Sequence, residues 1–310
     1  MQARSRWKAV SGVLLLDKPV GLSSNDALQK ARRLFQAARA GHTGTLDPLA
    51  SGLLPLCFGD ATRFAGMMLD ADKEYIAGVR LGVRTNTGDA EGEVLSTMPV
   101  DVDLDRLHRA LIAHTGDLDQ MPPMHSALKH AGKPLYEYAR AGETIERALR
   151  PVRIHEIELL EVALPEFSMR VRCSKGTYIR TLAEDIGNAL GCGAHLSALR
   201  RTRSGPLVLE SACTLERIAA CDEDERGTLL HPADVLLQDM PACRIGDVAA
   251  RRLTFGQSVA VGEVESSDGA MPEGQLMRAY NGSILLGLVV VREGRLQVKR
   301  LLPQESGQKA

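Results

Sequence analysis

The chain has 310 residues and no long apolar run. Crossing a bilayer as a helix takes roughly 20 consecutive apolar residues. The run at 13–16 stops at Asp17, so neither a membrane span nor a signal-peptide core is expected, despite the cations Arg4, Arg6 and Lys8 ahead of it. Ordered cysteine spacing is missing too. The six cysteines (57, 173, 192, 213, 221, 243) form no Cys-x-x-Cys pair and no cluster with histidine at zinc spacing. That argues against a metal and reads as buried thiols in the reducing cytoplasm. No internal repeat, low-complexity tract or coiled coil occurs. Neither a nucleophile elbow nor a phosphate loop is present, which sets aside a hydrolase built on His42 and Asp47. Nor is either charge in excess: 38 Lys and Arg oppose 39 Asp and Glu, without the basic balance usual in nucleic-acid binders.

The charge that is present is local. Arg170, Arg172, Lys175, Arg180, Arg200, Arg201 and Arg203 crowd one stretch, while Asp222, Glu223, Asp224 and Glu225 offset them elsewhere. A solvated face is the ordinary reading of such a run, but distribution matters more than the sum. With 44% hydrophobic and 25% charged residues, the chain reads as one large or two unequal globular domains.

Apolar spacing predicts the elements. Ser23 or Ser24 caps a helix carrying Ala27, Leu28, Ala31, Leu34 and Phe35, and residues 59–63 open another. Tyr75, Ala77, Val79, Leu81 and Val83 alternate on one face of a strand. Residues 89–92 read as a turn, 104–114 as a helix with Leu104, Leu107 and Leu111 inward, and 152–162 and 167–173 as strands. Ile179, Leu182, Ala183, Ile186 and Leu190 mark a helix closed by Gly191. After an acidic stretch and a plausible linker at 231–234, short apolar runs at 243–261, 276–280, 284–291 and 295–302 predict a small all-β unit.

The stretch most charged with chemistry is Gly41-His42-Thr43-Gly44-Thr45-Leu46-Asp47-Pro48-Leu49-Ala50-Ser51-Gly52. Glycines at 41, 44 and 52 permit positive φ or close approach to a ligand, and Pro48 stiffens the chain behind a single carboxylate. Alone, Asp47-Pro48 reads as a helix N-cap. Tyr75 alone reads as a core aromatic, and Arg180 alone as a solvent-facing charge. Residues 121–140, rich in Pro, Gly, cations and tyrosine, suit a surface that meets a polyanion.

Together these stretches resemble the TruB family of tRNA pseudouridine synthases, in ordered motifs over residues 10–205. The Gly-Thr-Leu-Asp-Pro-Leu-Ala-Ser-Gly string matches the family's active-site loop, with Asp47 as its catalytic aspartate. Lys18-Pro19-Val20-Gly21 matches a first motif, with Ser23 where the family usually has Thr. Pro122-Pro123-Met124-His125-Ser126-Ala127-Leu128-Lys129 matches another, with His125 where Tyr is frequent. Lys175-Gly176-Thr177-Tyr178-Ile179-Arg180 matches a third. The resemblance implies that Tyr75 stacks on the target uracil, that Arg180 pairs with Asp47, and that Tyr178 and Leu199 pack on the base. It further implies that His42 stabilises the space the base vacates and that Lys18 contacts substrate.

It also implies an α+β catalytic fold, with a mixed, mostly antiparallel sheet flanked by helices over residues 1–235, in which 120–150 form an RNA-contacting insertion. A small C-terminal all-β, PUA-like RNA-binding barrel would follow over 236–310. The implied reaction isomerises uridine-55 in the TΨC loop of tRNA. It breaks the bond from ribose C1′ to uracil N1 and remakes it to C5, with no redox change and so no cofactor or metal. Asp47 would add to uracil C6 or engage C1′ after the base flips out of its stack. Burial should raise the Asp47 pKa and Arg180 lower it again. The expected partner is the tRNA T-arm stem-loop, bound by a cytoplasmic monomer with no membrane contact. The alternatives are a synthase with another RNA target and a non-catalytic RNA-binding or chaperone protein, which would not need a paired buried carboxylate.

Overall fold

The computed structural model describes residues 7–303, so Arg4, Arg6 and the end of the expected 236–310 unit lie outside the described residues. A large sheet organises the first two thirds. Its strands run in the order Gly12–Lys18, Ala50–Phe58, Ala194–Ser204, Lys73–Leu81, Glu166–Cys173, Arg150–Ala163 and Gly116–Gln120, and short strands Ala40–His42 and Leu207–Val208 extend it. Pairing is antiparallel except between Ala50–Phe58 and Ala194–Ser204. That parallel contact requires Gly52. Its φ is +98°, and a Cβ there would sit 2.3 Å from the Arg201 carbonyl oxygen. Gly52 thus takes the positive φ its position was read to allow, and the close approach there is to backbone.

Helices cover the sheet where their apolar stripes predict. Ser24–Phe35 starts at Ser23, whose hydroxyl accepts from the Asp26 amide, and buries Ala27, Leu28, Ala31 and Phe35 against Leu14, Leu16, Leu54 and Leu56. Each fully buried leucine contributes about 1.5–3 kcal/mol. Ile179–Ala189 buries Ile179, Leu182, Ala183 and Ile186 against Met169, Val171, Ala194 and Leu196. In Leu104–Ala113, Leu107 and Leu111 are buried, but Leu104 is exposed because Asp103 caps the helix at its margin.

Two local expectations fail informatively. Asp47-Pro48 begins no helix: the apolar run behind it is the strand Ala50–Phe58, buried on both faces, which periodicity cannot tell from a helical segment. The stretch at 231–234 is no free linker either. His231 exchanges two backbone hydrogen bonds of 2.8 Å with Val13, and Val235, Leu236 and Leu237 pack into the core behind it. The acidic run before it forms the helix Glu223–Thr228 with an Asp222–Glu225 capping box.

A second, mostly antiparallel sheet follows: Val259–Ala260, Arg295–Leu301, Ile284–Arg292, Leu276–Asn281, Ala242–Ile245 and Val264–Ser267. The helix Asp247–Thr254 is inserted where the run at 243–261 suggested only strand, and it buries Ala249, Ala250 and Leu253. This unit is anchored to the large sheet through Leu288, which joins Val13, Leu15 and Leu53 in one apolar cluster, and through an Arg300 hydrogen bond to the Arg63 carbonyl. No helix of the described residues is long and apolar enough to cross a membrane.

Candidate active site

Asp47 is held by its neighbours in the loop before Ala50–Phe58. The buried Ser24 hydroxyl accepts from the Leu46 amide at 2.7 Å and lies 3.0 Å from the Leu46 carbonyl, while the Gly21 amide donates to the Pro48 carbonyl at 2.8 Å. Lys18 braces the turn that supplies Gly21. Fully buried, its ammonium donates to the carbonyls of Pro19 and Leu22 at 2.8 and 2.6 Å. Burial drops its pKa to about 8, against the pull of Asp47 and Glu91. Lys18 thus supports the Asp47 loop from behind and is not among the residues lining the two cavities that Asp47 faces.

Arg180 enters from the first turn of Ile179–Ala189, its side chain only 6% exposed. One guanidinium nitrogen lies 2.9 Å from Asp47 Oδ2 and the other 3.4 Å from Asp89 Oδ2. The same nitrogens donate to the carbonyls of His125 at 2.6 Å and Thr87 at 3.0 Å. Asp89, read from sequence only as part of a turn, is 3% exposed and accepts from the Thr87 hydroxyl at 2.6 Å and the Glu91 amide at 3.2 Å. Nothing in its local sequence marks it, because a turn aspartate is usually solvated. Burial and the nearby Asp89 charge raise the Asp47 pKa against Arg180 and Lys18, so the net direction is upward.

Tyr75 lies on the central strand Lys73–Leu81, opposite Arg201 and Val171. Burial raises its pKa, opposed by the Arg201 charge, which leaves a neutral phenol. Arg201 is 2% exposed and donates to the Leu53 carbonyl at 2.7 Å. Tyr178 is fixed through its backbone: its amide donates to Gln120 Oε1 at 3.0 Å, and the Gln120 amide donates back to its carbonyl at 3.3 Å. Gln120 is 2% exposed at the end of Gly116–Gln120 and had no sequence signal of its own.

Asp47, Tyr75, Tyr178, Arg180 and Leu199 line one cavity. His42 lines a second, on the far side of the Asp47–Arg180 pair, with Asp89, Tyr136 and Arg140. Burial and the Arg201 charge lower its pKa and keep the imidazole neutral.

Most of the crowded cations are spent internally. Arg170 pairs with Glu158, Lys175 with Asp70 at 2.7 Å and Arg200 with Asp17 at 2.7 Å. Arg172, Arg201 and Arg203 of that group have no ion pair among the described residues, and Arg201 is instead buried against backbone carbonyls.

Residues 32–179 match the sequence model of the TruB family pseudouridylate synthase N-terminal domain, and residues 180–238 match that of the tRNA pseudouridylate synthase B C-terminal domain. The chain belongs to the TruB family of pseudouridylate synthases. It is 56% identical to the tRNA pseudouridine synthase B of Cupriavidus pinatubonensis over 300 residues, 95% of each chain. The same identity holds for the Burkholderia mallei enzyme of that name, over 96% of each. Among solved structures, the crystal structure of a Cbf5-Nop10-Gar1 complex covers 94% of this chain and 84% of its own, at 29% identity and a TM-score of 0.75. An H/ACA ribonucleoprotein bound to a substrate RNA containing 2′-deoxyuridine covers 94% and 85%, at 27% identity and a TM-score of 0.74. The mixed sheet and the C-terminal sheet are thus those of a TruB-type synthase.

Proposed function

We propose that this TruB-family enzyme converts uridine-55 in the TΨC loop of tRNA to pseudouridine, with Asp47 as the nucleophile on a flipped-out base. The observation that carries the reading is the position of Asp47. It is the carboxylate facing Tyr75, Tyr178 and Leu199 within one cavity, and it is tied to a buried cation 2.9 Å away. The 56% identity to enzymes named tRNA pseudouridine synthase B supports the substrate.

A cavity with two tyrosines and Leu199 in its wall suits a nucleobase, whose stacking contributes about 1–3 kcal/mol. Tyr75 and Tyr178 supply that wall, and neutral His42 supports the RNA from the adjoining cavity. Once Asp47 has assisted departure of N1, rotation of the held uracil presents C5 to C1′. Arg180 keeps the carboxylate ionised before attack and receives it again as an anion when the C5–C1′ bond has formed and Asp47 leaves. C5 then loses its proton and N1 gains one.

All of these side chains come from one chain, which supports action as a monomer. The C-terminal sheet, whose strands lie between 242 and 301, serves as the RNA-binding unit, and the free thiols suit the cytoplasm. The test is tritium release from tRNA labelled at uridine C5, with modification mapped afterwards. About one equivalent per tRNA, at position 55 and lost in Asp47→Ala, is the expected result. Release from another position would redirect the substrate, and binding without release would leave an RNA-binding protein.

A further inference from the structure

Buried polar groups nearly always find a partner, because leaving one unpaired forfeits its hydration with nothing in return. The hydroxyl of Ser126 breaks that rule. Ser126 is 4% exposed and its Oγ has no hydrogen-bond partner. It lines both cavities, the one holding Tyr75, Tyr178 and Leu199 and the one holding His42. Asp47 and Arg180 are also common to both. Its position is not slack: its carbonyl accepts from the Tyr136 amide at 3.1 Å, and the preceding carbonyl, of His125, accepts from Arg180 at 2.6 Å. A clamped backbone thus holds an unsatisfied hydroxyl level with the catalytic carboxylate.

If uracil fills the aromatic cavity and Asp47 reaches the bond between base and sugar, the ribose must pass beside the Asp47–Arg180 pair, where Ser126 stands. We infer that Ser126 Oγ is a substrate contact that hydrogen-bonds the 2′-hydroxyl of the target nucleotide. Thr43 has a similarly unpartnered hydroxyl, but it lines only the aromatic cavity and so faces the base. The inference rests on the synthase reading above and assigns Ser126 to the sugar rather than to the uracil.

The test is a double-mutant cycle in the full chain, measured as equilibrium binding. Wild type and Ser126→Ala are each titrated with tRNA carrying uridine or 2′-deoxyuridine at the target position, with tritium release from the uridine tRNA measured alongside. A neutral hydrogen bond corresponds to about a three- to tenfold change in affinity. Ser126→Ala should weaken binding of the uridine tRNA by that factor and leave the 2′-deoxyuridine tRNA unaffected. Its Tm should be unchanged or higher, since an unpaired buried hydroxyl is removed. Equal losses on both RNAs would overturn the assignment to the sugar, and no loss on either would overturn the contact itself. A lowered Tm would make Ser126 structural. Absence of tritium release from wild type would instead be a failure of the synthase reading, independent of these affinities.

Discussion

Asp47 and Asp89 share one cation: Arg180 places one nitrogen 2.9 Å from the first carboxylate and the other 3.4 Å from the second. Two negative charges around a single buried positive one leave the site with surplus anion. Burial is the main reason the Asp47 pKa lies above its ordinary value even beside an arginine, and the Asp89 charge adds to it.

Removing Arg180 should therefore harm the fold as well as the chemistry. Arg180→Ala strands a buried Asp89, and such a loss costs about 3–5 kcal/mol. Asp47→Asn should do the reverse. A carboxylate whose folded pKa is raised contributes stability only at low pH and loses it as pH rises through that value. At pH 7 ionised Asp47 is a cost, so the variant should be inactive yet unfold no earlier than wild type. Urea titration of both variants at pH 7, with tritium release, separates the two cases.

The pH profile should carry the same signature. Activity needs ionised Asp47, so the acid limb of kcat/KM should fall at a pH above the ordinary aspartate value of about 3.9. Asp89→Asn removes a neighbouring negative charge and should move that limb to lower pH, whatever its effect on the maximal rate. A limb that stays in place would detach Asp89 from the titration of Asp47.

Lys18 predicts a stability effect without a binding one. Its folded pKa of about 8 lies below its ordinary 10.5, so between those values the unfolded chain binds the extra proton. Wild-type stability should rise with pH through that window, and the rise should vanish in Lys18→Met. Filter binding of tRNA at pH 7 should show no change in affinity per folded molecule. A large change would restore Lys18 to the substrate surface.

Gln120 holds both the amide and the carbonyl of Tyr178, two residues before Arg180. Gln120→Met keeps the volume but frees both groups. We expect kcat to fall about tenfold with KM for tRNA little changed, because the contact positions the site rather than the RNA. Parallel losses in KM would show that the RNA surface had shifted as well.

Much of this was legible in the linear chain. Periodicity located the helices at 24–35 and 179–189 and the central strands, since a buried stripe must repeat with the geometry of its element. Motif resemblance picked out Asp47, Tyr75, Tyr178, Arg180 and Leu199, which line one cavity although they lie up to 152 positions apart, from 47 to 199.

Other features were out of reach. The run at 50–58 is apolar on both faces and so carries no period, and an aspartate in a turn looks the same whether solvated or buried. By itself, the sequence determined which segments could bury apolar surface and which residues were candidates for the chemistry. Only the tertiary structure decided that Asp89 joins the Asp47–Arg180 pair, that Lys18 is turned inward, and that Gln120 and Ser126 meet the site from a distant strand and loop. The physical reason is that charge pairing and desolvation depend on distances across the fold, which neighbours along the chain do not encode.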